Sequence, residues 1–169
     1  YAESAEATVE INNEMCRFDP HVVVLRTSQT LLIKNSDTVG HNTKIDSKVN
    51  PINPIIPPGQ ELEETGFNEA ERLPVGASCS IHPWMKGWLV VAESPYTGVT
   101  DENGEFLIEN LPAGRHEFTA WHEVSGYVSD VQVNGTAKTW NRGRVEVIIK
   151  DGETTDLGEV KVEYANLAG

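Results

Sequence analysis

The sequence predicts an all-β chain built from two β-sandwich domains. Two observations lead there. Short runs rich in Val, Ile, Thr and aromatic residues are separated by clusters of Gly, Pro, Asn and Asp, and no stretch carries the longer period of a convincing helix. In "VEVIIK" (145–150) and "EVKVEY" (159–164) apolar and charged residues nearly alternate, so one face of each is expected to be buried and the other wet.

The strands expected in the first half are "ATVEI" (7–11), "HVVVL" (21–25), "TLLIKN" (30–35), "HNTKI" (41–45), "ELEETGF" (61–67) and "GWLVVAE" (87–93). Between them, "VNPINPIIPPGQ" (49–60) is too rich in proline to be a central strand, because each proline removes a ladder donor, and it reads as a long crossover loop. The first series ends near "AESPYTG" (92–98). After it, Asn103-Gly104 and Pro112-Ala113-Gly114 flank "EFLIEN" (105–110), which is hairpin chemistry starting again. The remaining strands are "HEFTAWHE" (116–123), "YVSDVQV" (127–133), and the two alternating runs. The predicted domains are therefore 1–93 and 94–169.

Composition narrows the function classes. With 169 residues and 38% hydrophobic content, the chain can bury two cores, and no run approaches the roughly 18 apolar residues of a membrane span. The net charge of −13 argues against nucleic acid and anionic membranes and favours basic partners. That acidity is spread evenly on both sides of Ser94, which is also what plain solubility requires. The sequence opens at Tyr1 without methionine, and the expectation is a processed, exported chain in a periplasmic or extracytoplasmic compartment. Its two cysteines, Cys16 and Cys79, can pair, bind a metal or remain free.

The stretch "CSIHPWMKG" (79–87) places a cysteine, a histidine and a methionine at intervals of three. Thiolate and thioether ligands combined with imidazoles select copper, and two histidines, one cysteine and a weak axial methionine form the electron-transfer arrangement. Cys79, His82 and Met85 would give three of those four ligands. His41, in "NSDTVGHNT" at the end of an apolar strand, is the candidate for the missing histidine.

These residues resemble the cupredoxins, copper-binding Greek-key β-sandwiches that carry single electrons. The resemblance covers roughly residues 6–93. It rests on "FDPHVVVLRTSQTLLIKNSD" (18–37), on His41-Asn42, and on "CSIHPWMKGWLVVAE" (79–93), whose short loop with proline after the histidine is most like the amicyanin and plastocyanin type. It implies one type 1 copper held by His41, Cys79, His82 and Met85. Asn42 and Ser80 would brace the junction between the two ligand loops. Pro83 and Trp84 would stiffen the loop and form the electron-transfer surface beside His82. The family fold also puts the turn of Cys16 at the copper end. Two thiolates there would make a different centre, and a Cys16–Cys79 disulfide would leave no thiolate for copper. His21, in "DPHV", departs from the simple pattern and is read as structural or surface.

Residues 95–165 resemble the carboxypeptidase-regulatory-like, or transthyretin-like, β-sandwich through "GVTDENGEFLIENLPAGRHEFTAWHEVSGY". No catalytic constellation stands out here. "TDENGE" lacks the rest of an EF-hand, His116, His122 and Glu123 carry only a weak suggestion of a metal site, and the basic loop "AKTWNRGR" (137–144) reads as a solvated hairpin loop. Three functional expectations follow. One is a copper electron carrier, not an enzyme, that exchanges electrons with a redox protein such as a cytochrome or a membrane redox complex. Another is a non-catalytic extrinsic subunit of such a complex, without copper. The third is a copper oxidase or nitrite-reductase-like fragment, which would need more histidines than the five present.

Overall fold

The computed structural model describes residues 6–163, whose regular structure is almost entirely β-strand, in agreement with the all-β expectation. The chain divides into two compact units, residues 1–108 and 109–169, whereas the sequence suggests 93/94. The segment after residue 93 explains the difference. Asp101 closes a turn by accepting the N–H groups of Asn103 and Glu105 at 2.9 and 2.8 Å, and Phe106 and Ile108 return against Gly98. The expected strand at 105–110 is absent, because the Asp101 side chain caps this turn locally and no ladder continues from it.

The first unit contains β1 (Thr8–Glu14), β2 (Arg17–Asp19), β3 (Val22–Arg26), β4 (Thr30–Asn35), β5 (His41–Asn42), β6 (Lys44–Ile45), β7 (Ile55–Ile56), β8 (Glu61–Glu64), β9 (Val75–Ser78) and β10 (Lys86–Ala92). One sheet has the order β2-β1-β4-β8 and another β3-β10-β9-β6, while β5 and β7 form a small ribbon. The pairs β1–β4 and β3–β10 are parallel, and the other pairs are antiparallel. Burial alternates along β3, β4 and β10, so each strand turns one face inward. Leu31 and Ile33 of the first sheet and Val23, Leu25, Leu89 and Val91 of the second join a single apolar cluster.

Strands β2, β7 and β9 are absent from the sequence expectation, and residues 65–67 do not continue β8. β7 lies inside the proline-rich stretch. Ile55 and Ile56 pair with Asn42 and His41 there because the flanking prolines leave these two residues with free ladder groups.

The second unit contains β11 (Gly114–Thr119), β12 (Trp121–His122), β13 (Gly126–Tyr127), β14 (Asp130–Val133), β15 (Thr136–Thr139), β16 (Arg144–Ile149) and β17 (Val160–Lys161). β11 pairs with β16, β12 with β13, and β14 lies between β15 and β17. The expected strand at 159–164 is reduced to β17, and its last residue lies outside the described residues. The basic loop expected at 137–144 is partly strand, since β15 ends at Thr139. Among the described residues, no helix is long and apolar enough to cross a membrane.

One carboxylate shapes the crossover between β6 and β7. Glu71 accepts the Ser47 hydroxyl at 2.7 Å and the Lys48 and Val49 N–H groups at 2.6 and 3.3 Å, while Ser47 Oγ accepts from Asn50 at 3.0 Å. Burial pushes the Glu71 carboxyl up, but these hydrogen bonds and the Lys48 charge outweigh it and hold the group below its ordinary value. A carboxylate depressed by folding contributes stability that is present above its unfolded pKa and is lost as pH falls through the folded one. Glu71→Gln is therefore expected to lower the urea midpoint at pH 7 by the equivalent of about 1 kcal/mol. The gap from wild type should close as pH falls below about 4, the range in which a glutamate protonates. Equal midpoints at pH 7 would show that the clamp does not stabilise the fold.

Candidate metal centre

The spacing of three acts through a hairpin. β9 and β10 are antiparallel neighbours with Ser78 opposite Lys86, so residues 79–85 form the connecting loop. Cys79 and Met85 stand at its base, where the Cys79 N–H donates to the Met85 carbonyl at 3.3 Å. His82 lies between them in the loop, and its carbonyl accepts the Met85 N–H at 2.9 Å. Cys79 and Met85 are buried in the apolar cluster, whereas His82 is half-buried.

His41 opens β5 and is fully buried. Its Nδ1 lies 3.0 Å from Nδ1 of His82 and 3.9 Å from Sγ of Cys79, and the His82 nitrogen is 3.8 Å from the same sulfur. These three atoms form a nearly symmetric triangle. A point about 2.0 Å from both nitrogens lies about 2.2 Å from the sulfur, close to the lengths of about 2.0 and 2.3 Å for imidazole and thiolate bonds to a zinc-sized ion. The donor set is two imidazoles and one thiolate in a trigonal arrangement, so a soft or borderline transition metal fits it. Met85, at the base of the same hairpin, belongs to the buried cluster with Cys79 and adds a thioether to this end of the fold.

Asn42 joins the two ligand loops. Its Oδ1 accepts the Ser80 N–H at 2.7 Å and the Ile81 N–H at 3.4 Å, and lies 3.4 Å from the Cys79 thiol. Its Nδ2 donates to Asn53 Oδ1 at 2.6 Å and to Ser80 Oγ at 3.3 Å. One amide thus connects β5, the proline-rich crossover and the cysteine loop.

On the other side of the His41 ring, Nε2 lies 2.8 Å from Asp37 Oδ2. The same carboxylate accepts the N–H groups of Met15 at 2.7 Å and Cys16 at 2.9 Å, which belong to a turn with φ of 49° and 53°. Burial pushes the Asp37 carboxyl up, yet hydrogen bonds from Cys16, His41 and Met15 together hold it below its ordinary value. The carbonyl of Cys16 accepts the Trp84 indole N–H at 3.2 Å. The Trp84 ring centroid is 5.2 Å from that of His82, and the side chain is 66% exposed.

Of the residues singled out in the sequence, His41, Cys79 and His82 come together, and Asn42 meets Ser80. Cys16 and Cys79 are both free thiols, so the alternative bridge between them is not formed; Cys16 instead lies beside Asp37 and His41. His21 is exposed and belongs to neither of the groups of metal-capable side chains among the described residues. In the second unit, His116 Nε2 is 2.7 Å from the Pro112 carbonyl and His122 Nδ1 accepts from Val124 N–H at 3.2 Å, each a contact with a residue close by in the chain. Sequence reasoning missed Asp37, Asn53 and Asn35. The available signal for Asp37 was its position four residues before His41, in a loop short enough to fold back on itself.

No protein-family model matches the chain, and no curated protein matches it. Among solved structures, the chain is similar to a copper-containing nitrite reductase (NirK) from Thermus scotoductus SA-01, at 24% identity and a TM-score of 0.47. That match covers 55% of this chain but only 24% of the reductase. A reduced amicyanin mutant is similar at 20% identity over 53% of this chain and 86% of its own, with a TM-score of 0.44. A purple cupredoxin from Nitrosopumilus maritimus is similar at 24% identity over 52% of this chain and 100% of its own, with a TM-score of 0.40. These likenesses are too distant to transfer a function.

Replacing Asn42 tests whether the junction is built as described. Asn42→Ala should destabilise the unit by about 2 kcal/mol in urea unfolding, because it leaves the Ser80 N–H and the Asn53 side chain unpaired. Asn42→Asp keeps the acceptor for Ser80 but sets an oxygen against Asn53 Oδ1, so it should also destabilise. A neutral result for both would show that the amide is dispensable.

Proposed function

We propose that the first unit is a mononuclear type 1 copper protein that carries single electrons. The observation that carries this reading is the triangle of His41 Nδ1, His82 Nδ1 and Cys79 Sγ, a donor set and spacing suited to copper. Copper, when bound, supplies a one-electron couple between its two oxidation states. The chain's own residues hold that ion in a site they have already shaped. His41 and Cys79 are shielded from water, Met85, buried in the same cluster as Cys79, would offer a soft thioether, and Asn42 ties the two ligand loops together.

The thiol proton of Cys79 points to Asn42 Oδ1 in the metal-free arrangement and must leave when the metal binds, so affinity should weaken at acid pH. His82 and Trp84 form the exposed edge, where a partner would come within transfer distance of the site. That partner is a redox protein such as a cytochrome or a membrane redox complex, and the setting is periplasmic or extracytoplasmic. The second unit, read as a carboxypeptidase-regulatory-like or transthyretin-like sandwich, would serve as a docking or spacing module.

Copper(II) added to reduced, metal-free protein should bind at one ion per chain and give an intense visible thiolate-to-copper band, absent in Cys79→Ser. The coloured form should bleach on one-electron reduction and return on oxidation. Failure to take up copper, with Cys79 titrating as a free thiol, would favour the extrinsic structural subunit instead.

A further inference from the structure

The side chains on the far side of His41 are placed as deliberately as the donors on the near side. Cys16, Asp37 and His41 offer a sulfur, a carboxylate oxygen and a ring nitrogen within 4.8 Å of one another. A cation among them would have to compete for a carboxylate whose two oxygens both already have partners. Oδ1 of Asp37 accepts the Met15 N–H, and Oδ2 accepts the Cys16 N–H and faces His41 Nε2. The arrangement is a complete hydrogen-bond network centred on one imidazole.

We propose that Asp37 is the positioning residue of the metal centre. It holds His41 in the tautomer with its proton on Nε2, presents a bare Nδ1 to Cys79 and His82, and makes that nitrogen a stronger donor to copper(II). The last part rests on the copper reading given above, and the first does not.

An ionised carboxylate can only accept, so His41 Nε2 must donate, and a neutral imidazole then keeps its lone pair on Nδ1. His41 is 0% exposed, so no bulk water can set the tautomer in place of Asp37. The carboxylate itself cannot swing away. The turn at Met15 and Cys16 grips both of its oxygens, and the Asp37 N–H donates to Asn35 Oδ1 at 3.0 Å. Asn35 is in turn fixed to the Val39 and Ile56 carbonyls at 2.8 Å each. The same turn reaches the second histidine, because the Cys16 carbonyl holds the indole that lies beside His82. One two-residue turn therefore braces both imidazoles, one through a carboxylate and one through a tryptophan.

The decisive variants are Asp37→Asn and Asp37→Ala. An asparagine has only one acceptor oxygen, so its NH2 must face either Met15 N–H or the Cys16 and His41 pair. Long-range nitrogen–proton NMR on reduced, metal-free protein should show His41 with its proton on Nε2 in wild type, a loss of that fixed tautomer in Asp37→Ala, and in Asp37→Asn either its loss or its retention with the turn at Met15 loosened. Copper(II) affinity should fall about 10–100-fold, as it does when the partner of a ligating histidine is removed. Copper(I) affinity should fall less, so the reduction potential should rise, and Asp37→Glu should recover part of both losses. A folded Asp37→Ala that keeps the Nε2–H tautomer, wild-type affinity and wild-type potential would overturn the proposal and leave Asp37 as an anchor of the turn alone. If neither variant folds, a wild-type spectrum with the His41 proton on Nδ1 overturns it just as directly. A wild-type protein that takes up no copper, in which Asp37→Ala still loses the tautomer, refutes the copper reading while the positioning role stands.

Discussion

The arrangement of the first unit depends on one constraint: three consecutive polar residues, His41, Asn42 and Thr43, are all buried. In a strand, neighbouring side chains point to opposite faces, so consecutive burial means that this segment is covered on both sides. Each buried polar group must then find a partner or impose a penalty of about 1–3 kcal/mol. The partners come from four separate parts of the chain. Asp37 meets His41, Asn53 and Ser80 meet Asn42, and Asn13 Nδ2 meets Thr43 Oγ1 at 3.2 Å. Satisfying this short segment is what sets the mutual positions of β1, the loop before β5, the proline-rich crossover and the cysteine hairpin.

This constraint also prepares the site chemically. A metal held by side chains on two separate segments would normally have to order them on binding. Here the ordering is done by hydrogen bonds that do not involve the metal, because Asn42 ties the loop of Cys79 to the strand of His41. The two imidazole nitrogens stand 3.0 Å apart before any ion arrives. At that distance one nitrogen can donate to the other in the empty protein, and an ion that takes both lone pairs would replace that proton. The apolar surroundings of Cys79 and Met85 keep water away from the sulfur donors, and the hairpin base fixes their separation. Little of this framework then has to move to accept an ion, since the polar neighbours are already oriented.

The sequence made legible what is local and left hidden what is long-range. The hairpin loop could be read directly, because Cys79, His82 and Met85 occupy seven consecutive residues whose spacing has only one geometric meaning once the loop joins paired strands. The apolar runs of β3, β4 and β10 were equally visible, but their alternating burial was not, because VVVL, LLI and WLVV are apolar toward both faces. The strands that were missed are short, and they exist only because a partner lies alongside. β7 pairs with β5, β2 with β1, and β15 with β14, so propensity alone could not announce them. Turn signals misled in the opposite direction at 105–110. Asn103-Gly104 marks a true turn, but Asp101 closes it with side-chain hydrogen bonds and no hairpin ladder follows. Asp37 escaped notice for a related reason. A carboxylate in a polar loop is usually solvated, and only the fold shows that both its oxygens are taken by a turn 21 and 22 residues away.

Asp37 and Glu71 reveal a shared device in a chain with an excess of acidic residues. Each carboxylate collects donors from one tight turn, at Met15–Cys16 and at Ser47–Val49, and each is held below its ordinary pKa despite burial that pushes it up. Both clamps serve the same segment. Asp37 reaches His41 directly, and Glu71 anchors the start of the crossover that delivers Asn53 to Asn42. A depressed carboxylate stabilises the fold above its unfolded pKa and ceases to do so as pH falls through its folded value. Acid should therefore release the loops around the candidate metal centre from two sides at once, before it reaches the apolar cluster, which contains no carboxylate or imidazole. The excess of negative charge is thus more than a solubility device: two of its members, each taking two backbone N–H groups and a side-chain partner, hold the polar interior in register.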